Sequence, residues 1–481
     1  MEGDIMMRKQ KKQLLFSCAF AAFTMGATMM SYAATGWQSS GGDWHYYLND
    51  GEMAQSTWKK SGTHYFWLDE DGTMATDRLI EDGDDCFYVN ESGAMVSNEW
   101  RELDNDDDSD GASDTCWYYL GANGKAYKAG STGKTTFKSI QAADGATRKY
   151  TFDSEGRMLY GWINEESERQ TDEDAWKSGI YYLGEAGDGA LRTLQWARLE
   201  VEDDENEVED FDDTYWFYFG SNGKKYTDTQ KTINGRKYRF EENGNAVFNW
   251  YSLASDSAAS DSNMYYNLPT QCWRAEGWFY SVPDKDLDPE GYDDGEEYWF
   301  YALKSGELVK SQIKKINGWY YGFNEYGEML QGLYKLSVDN REIISYEEIV
   351  SESDMPDETD EWSVFYFGNA PKDGVMKTGA ATVDIDGEEY KFQFRKSGSD
   401  IGMGYEGIND GSIYSKGRLL KADKDSRLAV VTFEDNEYLV NTSGAIQKKK
   451  TNVKDADDRY YCTDSAGIIT YSGNEKWTRD K

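Results

Sequence analysis

Histidine is nearly absent, because His45 and His64 are its two occurrences among 481 residues. Both lie in aromatic runs typical of strands, so we interpret them as structural. Mechanisms that pair a serine or cysteine with histidine therefore have few candidates. Carboxylates abound, but a glycosidase must hold two of them apart in a rigid cleft, and here they cluster in apparent linkers. We therefore expect a protein that is not an enzyme and needs no cofactor. A hydrolase hidden in 252–296 or 334–470 is the enzymatic alternative.

Basic residues are also in short supply, since 51 Lys and Arg face 89 Asp and Glu, for a net charge of -38. A nucleic-acid-binding protein needs a basic surface against the phosphates, so this class is disfavoured. Loose adsorption to anionic membranes or wall polymers is disfavoured for the same reason. We expect the charge to keep an aromatic-rich protein soluble. Binding to an anionic wall would therefore have to be local and specific.

Proline is scarce as well, at 5 residues, whereas the chain contains 47 Gly, 36 Tyr and 17 Trp. Aromatic residues favour half-buried pleated surfaces, and Gly with Asn and Asp favours tight turns. A mean hydropathy of -0.82 leaves little material for a large aliphatic core. Tyr and Trp can instead cover small, shallow cores while keeping a polar end in water. The composition therefore predicts many short strands joined by turns.

Four of the five cysteines lie beyond residue 33, namely Cys86, Cys116, Cys272 and Cys462. They lack the CxxC spacing that favours a zinc site. Four cysteines allow three pairings, and we favour unpaired packing residues because most of them sit beside aromatics.

Asp106–Gly111 matches the D-x-D-x-D-G opening of a calcium loop. The twelfth loop position, which needs a bidentate Glu, is Trp117. We therefore predict no metal site.

The first 33 residues predict a signal peptide. An uncharged apolar run from Leu14 to Met30 follows a basic stretch that contains Arg8, Lys9, Lys11 and Lys12. Ser31-Tyr32-Ala33 then offers small residues at the positions that signal peptidase reads, which predicts cleavage after Ala33. We expect a secreted protein with no integral membrane segment after cleavage. An uncleaved membrane anchor is the alternative.

A period of 21 residues runs through the N-terminal part of the chain. Three registers share it: Trp37, Trp58, Leu79 and Trp100; Gly51, Gly72 and Gly93; and Met53, Met74 and Met95. Each unit predicts one β-hairpin, with its turn at an Asp-Gly step such as Asp50-Gly51. An isolated hairpin is marginal in water, so successive hairpins should stack and bury their aromatic faces. The predicted fold is all-β, with tandem β-hairpin repeats forming an elongated β-solenoid interrupted by acidic loops.

The same pattern recurs more loosely towards the C-terminus, between runs of like charge that cannot be buried and are interpreted as loops or linkers. The predicted organisation is a signal peptide 1–33, clear repeats 34–101, an acidic linker 102–114, a degenerate repeat pair 115–199, an acidic linker 200–213, a repeat pair 214–251, an insertion or loose unit 252–297, a repeat pair 298–347, an acidic linker 348–361 and degenerate repeats 362–481.

The segments "GWQSSGGDWHYYLNDGEMA" and "STWKKSGTHYFWLDEDGTMATDRL" resemble the choline-binding, or cell-wall-binding, repeats of Gram-positive bacteria. Similar repeats occur in glucan-binding proteins and clostridial toxins. The resemblance is close over 36–101 and looser over about 115–470. It implies a β-solenoid in which choline lies between neighbouring hairpins, inside a cage of three aromatic residues. Two of these come from one unit, the Gly-Trp tryptophan and the aromatic residue seven positions later, and the third comes from the next hairpin.

Transferred to this sequence, the resemblance implies a first cage of Trp37, Trp44 and Phe66, and a second cage of Trp58, Tyr65 and Phe87. A third cage fails because Leu79 and Cys86 are not aromatic, and a fourth fails because Asp107 stands seven positions after Trp100. An aromatic face attracts a quaternary ammonium by roughly 0.5–2 kcal/mol, and it can also stack on a sugar ring. The structural alternative is that these rings only pack one hairpin on the next.

These observations predict an exported, non-catalytic protein that binds a cell-wall polymer through aromatic cages. The polymer would be choline-bearing teichoic acid, peptidoglycan or glucan, and nucleic acid is not an expected partner. The alternative is a structural surface protein or adhesin that displays its acidic loops to a protein partner.

Overall fold

The computed structural model describes residues 35–105, 113–142, 144–203, 213–252, 263–357, 361–368 and 374–478. The predicted signal peptide and the calcium-like segment Asp106–Gly111 lie outside these residues. The described residues fall into two compact units. One lies within Met1–Ala175 and Gly179–Arg192, and the other lies within Trp176–Ser178 and Thr193–Lys481.

Consecutive antiparallel strands form the first unit. They are β1 (Gly36–Ser40), β2 (Asp43–Tyr47), β3 (Thr57–Ser61), β4 (His64–Leu68), β5 (Arg78–Asp82), β6 (Asp85–Val89), β7 (Glu99–Asp104), β8 (Thr115–Leu120), β9 (Lys138–Gln141), β10 (Thr147–Tyr150), β11 (Trp162–Ile163), β12 (Arg169–Gln170) and β13 (Tyr181–Tyr182). Strands β1 to β10 pair two by two, and β11 pairs with both β12 and β13. One helical turn, α1 (Ala175–Ser178), precedes β13.

The second unit begins with further two-stranded hairpins and ends in larger sheets. Its strands are β14 (Gln195–Glu200), β15 (Thr214–Phe219), β16 (Thr229–Ile233), β17 (Arg236–Phe240), β18 (Trp250–Ser252), β19 (Asn263–Tyr265), β20 (Gly277–Ser281), β21 (Tyr298–Ala302), β22 (Gln312–Ile316), β23 (Trp319–Phe323), β24 (Leu333–Asp339), β25 (Glu342–Glu348), β26 (Ser363–Tyr366), β27 (Gly379–Ile385), β28 (Glu388–Phe394), β29 (Gly407–Asn409), β30 (Ser412–Ser415), β31 (Arg418–Leu419), β32 (Leu428–Phe433), β33 (Asn436–Asn441), β34 (Val453–Lys454), β35 (Tyr460–Thr463) and β36 (Ile469–Gly473). Helix α2 (Pro289–Asp294) lies between β20 and β21, and a 3-10 helix spans Glu352–Asp354.

Each N-terminal repeat is a hairpin followed by a second turn. Ser40 pairs with Asp43, so Gly41 and Gly42 form a two-residue turn, with φ angles of +68° and +107° that suit glycine. The Asp-Gly step, predicted to be the hairpin turn, instead forms the second turn. There Gly51 donates its N–H to the Leu48 carbonyl, and an isolated bridge joins Tyr47 to Met53.

Backbone hydrogen bonds tie each hairpin to the next. Met74 donates its N–H to the Trp44 carbonyl at 2.8 Å, and Met95 donates to the Tyr65 carbonyl at 2.8 Å. The same bond recurs in the second unit, where Met329 donates to the Trp299 carbonyl at 2.8 Å. The predicted all-β class and tandem hairpin repeats are therefore confirmed, whereas the elongated solenoid stays a prediction.

The shared period of glycine and methionine has a packing cause. The Met53 side chain lies against Gly72 of the next repeat, where a Cβ would meet Met53 Sδ at 2.7 Å. Met74 lies against Gly93 in the same way. A glycine one period after each methionine therefore leaves room for the side chain that closes the contact between repeats.

Three acidic runs connect strands that pair with each other, and two of these runs, 102–114 and 200–213, were predicted to be linkers between repeats. Residues 102–114 include the end of β7 and lead to β8, residues 200–213 include the end of β14 and lead to β15, and residues 284–297 lie between β20 and β21. The fourth run, 348–361, connects β25 and β26, which flank β24 on either side.

Candidate aromatic ligand-binding sites

The first predicted cage is assembled in part. Trp37 lies directly across its hairpin from Tyr46, and the ring centroid of Trp37 is 5.3 Å from that of Phe66 in the next hairpin, at 71°. Trp44 shares this face of the hairpin but makes no ring contact with another described aromatic residue, and its side chain is 39% exposed. In the structure Trp37 and Phe66 are thus in contact, whereas Trp44 lies at the exposed edge, or rim, of the predicted cage.

The second predicted cage repeats this arrangement. The ring centroids of Trp58 and Phe87 are 5.1 Å apart at 62°, and the Trp58 indole N–H donates to Asp82 Oδ2 at 3.2 Å. Tyr65 is 40% exposed and lies across the hairpin from Lys60, whose Nζ is 5.3 Å from the Tyr65 ring centroid. A cation–π contact within the protein therefore already covers one wall of this predicted cage.

In the next crevice Leu79 and Cys86 stand where the first two cages have aromatic residues, and the side chains pack into a buried cluster. Cys86, Tyr118 and Leu120 are buried in one cluster, with Leu79 and Cys116 packed against it. Burial raises the pKa of the Cys86 thiol, and Cys86 and Cys116 carry no disulfide. This cluster packs the hairpin of β5 and β6 against the hairpin of β7 and β8.

Strand register reveals a cage that the spacing of seven misses. Trp100 lies directly across its hairpin from Tyr119, as Trp37 lies across from Tyr46. Trp117 stands two residues before Tyr119 and therefore occupies the place of Trp44. The acidic run between β7 and β8 lengthens the loop, so the second aromatic residue is displaced along the sequence but keeps its position in the ladder.

The third wall of this cage comes from the next hairpin. Phe66 stands two residues before Leu68, which bridges to Met74, and Tyr150 stands two residues before Phe152, which bridges to Met158. The Tyr150 ring centroid is 4.9 Å from that of Trp100, at 65°. Trp100, Trp117 and Tyr150 thus form three walls above the buried ring of Phe152.

The same construction occurs twice in the second unit. By register, the second set is Trp196, Trp216 and Tyr238, and the third set is Trp278, Trp299 and Tyr321. We name the three sets cage A (Trp100, Trp117, Tyr150), cage B (Trp196, Trp216, Tyr238) and cage C (Trp278, Trp299, Tyr321). In each cage the two tryptophans come from the hairpin that carries an acidic run, and the tyrosine comes from the hairpin that follows it.

The three cages have nearly the same geometry. The two indole centroids are 6.4, 6.1 and 6.3 Å apart in cages A, B and C, at interplanar angles of 76°, 89° and 84°. The first indole is 4.9, 4.7 and 4.8 Å from the tyrosine ring. It also stacks at 26°, 30° and 27° on a phenylalanine, namely Phe152, Phe240 or Phe323.

The tryptophans of these cages are half-buried, whereas the phenylalanines beneath them are at most 1% exposed. Burial raises the pKa of the Tyr150 and Tyr238 hydroxyls, so both rings stay neutral at ordinary pH. Uncharged, electron-rich faces meeting at steep angles are the environment that suits an organic cation without hydrogen-bond donors. The cages could therefore hold a quaternary ammonium group.

Two short motifs would have identified these residues in the sequence. The tryptophan that follows the acidic run belongs to a W-x-Y step, as in Trp117-Tyr118-Tyr119, and Trp44-His45-Tyr46 has the same form. The tyrosine of the next hairpin belongs to a Y-x-F step, as in Tyr150-Thr151-Phe152. The interval of seven residues between the two aromatic residues of one unit holds only where the hairpin loop has two residues. A search by that interval therefore does not find these cages.

The remaining chemistry-bearing residues serve the fold. His45 Nδ1 lies 3.0 Å from the Gly72 carbonyl of the next repeat, and His64 Nδ1 lies 3.3 Å from Thr63 Oγ1. In the described part of the chain, no three His, Cys, Asp or Glu side chains converge to hold a metal ion. Across the same residues, no helix combines the length and the hydrophobicity that a bilayer crossing requires.

Comparison with known families finds wall-binding repeats. Residues 35–53 and 113–126 match the family described as "Putative cell wall binding repeat". These segments contain Trp37 and Trp44 in the first case and Trp117 in the second. Both matches therefore fall on hairpin strands that carry walls of the sites described above.

A curated relative is glucosyltransferase-S of Streptococcus mutans, which is 26% identical over 230 residues. The match spans 48% of this chain but only 12% of that protein. The chain thus corresponds to a small part of the relative's length.

Similar solved structures include three proteins of Streptococcus pneumoniae. The autolysin LytC has a TM-score of 0.34 at 19% identity, with 64% of this chain and 56% of that chain covered. The choline-binding domain of CbpL has a TM-score of 0.28 at 21% identity, covering 45% and 88%. Choline binding protein F has a TM-score of 0.29 at 17% identity, covering 76% and 98%.

Proposed function

We propose that the chain is an exported, non-catalytic protein that anchors to choline-bearing wall polymer, and the two segments that match the family described as "Putative cell wall binding repeat" support this proposal. Cages A, B and C are the proposed sites, with the rims at Trp44 and Tyr65 as weaker ones. The observation that carries the proposal is the recurrence of one Trp-Trp-Tyr geometry in three hairpin pairs, whose centroid distances agree within a few tenths of an ångström.

The physical basis is the chemistry of a quaternary ammonium. Such a group cannot donate hydrogen bonds, so its best partners are aromatic faces, each worth roughly 0.5–2 kcal/mol. A cage with three faces binds one group weakly. Several cages on one chain raise the overall affinity for a polymer that displays many such groups. A net charge of -38 adds attraction for the cation but repels the anionic polymer, so retention rests on the cages.

Sedimentation with purified cell walls tests the proposal. The full chain should co-sediment with choline-bearing walls and be released by excess free choline. Retention should be lost when one indole of each cage is removed, in a variant with Trp117→Ala, Trp216→Ala and Trp299→Ala. Trp319→Ala is the matched control, because Trp319 is 62% exposed and lies outside the cages. Retention that free choline does not reverse would instead indicate glycan stacking.

One observation favours a second function, that of an adhesin. The acidic runs 102–114 and 200–213 each connect the two strands of one hairpin, and in this second function they would present their carboxylates to a protein partner. If the chain fails to bind choline-bearing walls and free choline at all, the adhesin function is preferred. A fall in the turbidity of a wall suspension on addition of the chain would identify a hydrolase and contradict the non-catalytic proposal.

A further inference from the structure

The residue across the hairpin from the second indole differs among the three cages. It is Glu102 opposite Trp117 in cage A, Arg198 opposite Trp216 in cage B and Tyr280 opposite Trp299 in cage C. Residues directly opposite in an antiparallel pair share one face of the sheet and contact each other. This rim position therefore lies beside the second indole of each cage, and cage C alone of the three has an aromatic ring there.

Tyr280 extends the aromatic surface of cage C outwards. Its ring centroid is 5.1 Å from that of Trp299, at an interplanar angle of 41°. Trp278 stands two residues earlier on the same face of β20, so Trp278, Trp299 and Tyr280 form a continuous surface from the cage to its rim. Tyr280 is 46% exposed, although the neighbouring Phe279 and Phe300 are buried.

An exposed ring beside a cation cage suits a particular ligand shape. A quaternary ammonium fills the space between three rings and leaves nothing to cover a fourth ring at the rim. A pyranose has an apolar face of C–H groups that packs flat on an aromatic ring, and its hydroxyls point towards water. Tyr280 offers the matching combination of an apolar ring and a polar hydroxyl at a wet edge.

We propose that cage C is a two-part site, in which Trp278, Trp299 and Tyr321 take the quaternary ammonium and Tyr280 with Trp299 takes the sugar ring that carries it. This inference rests on the proposed function and adds the ligand class of one cage. Cages A and B, with a carboxylate and a guanidinium at the rim, recognise the cationic group without the sugar.

Calorimetric titration of the full chain tests this two-part site. Cage C is isolated by removing one wall of every other candidate site, with Trp44→Ala, Tyr65→Ala, Trp117→Ala and Trp216→Ala. The probes are phosphocholine and a methyl hexopyranoside with phosphocholine on its primary hydroxyl. The glycoside should bind about tenfold more tightly, as one further ring contact predicts.

Substitutions at Tyr280 then assign the difference to its ring. Tyr280→Ala should bring the affinity for the glycoside down to that for phosphocholine and change the phosphocholine affinity by less than about twofold. Tyr280→Phe should keep the preference, because it keeps the ring. Tyr292→Ala is the matched control, since Tyr292 in α2 is also 46% exposed.

Equal affinities for the two probes before any change at Tyr280 would overturn the inference and leave the proposed function standing. If Tyr280→Ala weakened the affinity for both probes equally and left the thermal midpoint of unfolding unchanged, the inference would also be overturned. Tyr280 would then be a wall of the cation site. If neither probe binds while the chain remains folded, the proposed function of cage C and the inference both fail.

Discussion

Trp100 and Trp117 belong to opposite strands of one hairpin, and their ring centroids are 6.4 Å apart at 76°. An acidic run separates them in the sequence, yet register places them as Trp37 and Trp44 are placed in the first repeat. The hairpin tolerates the insertion because a longer loop adds little closure entropy and leaves the ladder beneath it unchanged. A binding position is thus defined by its place in the ladder and not by its distance along the chain.

Choline should titrate the three cages as separable sites. Because the cages share their geometry, we expect similar affinities and a stoichiometry near three, plus any contribution from the N-terminal rims. Each of Trp117→Ala, Trp216→Ala and Trp299→Ala should remove about one equivalent, since one face is worth roughly 0.5–2 kcal/mol. Isothermal calorimetry of the full chain measures this, with Trp319→Ala as the control. If any one of these three substitutions abolished all choline binding, the sites would not be separable.

The N-terminal rims should bind more weakly than the cages. Trp44 is 39% exposed without a ring contact, whereas the Trp117 and Trp100 rings are in contact. We expect Trp44→Ala to reduce choline binding and wall retention less than Trp117→Ala does. Wall sedimentation at increasing choline concentration compares the two variants. A larger effect of Trp44→Ala would show that the open rim is the better site and that the indole pair in cage A only packs.

The sequence predicted the hairpin repeats because their period is built from local packing. Gly72 and Met53 keep one interval since each glycine accommodates the methionine of the preceding repeat. Trp37 contacts Phe66 and Trp58 contacts Phe87, as the resemblance to wall-binding repeats implied and the period alone did not. Cages A, B and C were not predicted, because their long hairpin loops break the interval of seven residues. The register that brings their aromatic residues together is set by backbone pairing, which the sequence does not display.

The contact between methionine and glycine should be measurable in stability. Gly93 has a φ of +79°, and a Cβ there would lie 2.6 Å from Met74 Cε and 3.0 Å from the Ala75 carbonyl oxygen. Gly83 has a φ of +63° with nothing within 4 Å of the added Cβ. Both substitutions by Ala carry backbone strain of about 1 kcal/mol. Gly93→Ala should cost about 1–2 kcal/mol more by chemical denaturation because it also overpacks the contact between repeats. Equal costs would show that the methionine simply moves aside.

Stability should fall as the pH rises, through the buried carboxyl group of Glu328, which bridges to Phe300 in β21. Glu328 is 6% exposed and accepts a hydrogen bond from Asn324 Nδ2 at 2.7 Å, and burial raises its pKa from 4.5 to about 8. The nearby carboxylate of Asp288 raises it further in the same direction. The folded state therefore holds a proton that the unfolded state releases between about pH 4.5 and pH 8. The free energy of unfolding must decrease across this window, by a few kcal/mol.

Glu328→Gln separates this group from the other carboxylates of the chain. An amide cannot ionise, so the variant should be nearly as stable as the parent at pH 5 and more stable by a few kcal/mol at pH 9. Glu342→Gln is the matched control, because Glu342 is exposed in β25, whereas the exposed Glu325 itself helps to raise the pKa of Glu328. Denaturant unfolding at both pH values gives the two differences. Parallel pH profiles for the parent and Glu328→Gln would show that Glu328 is already ionised in the fold.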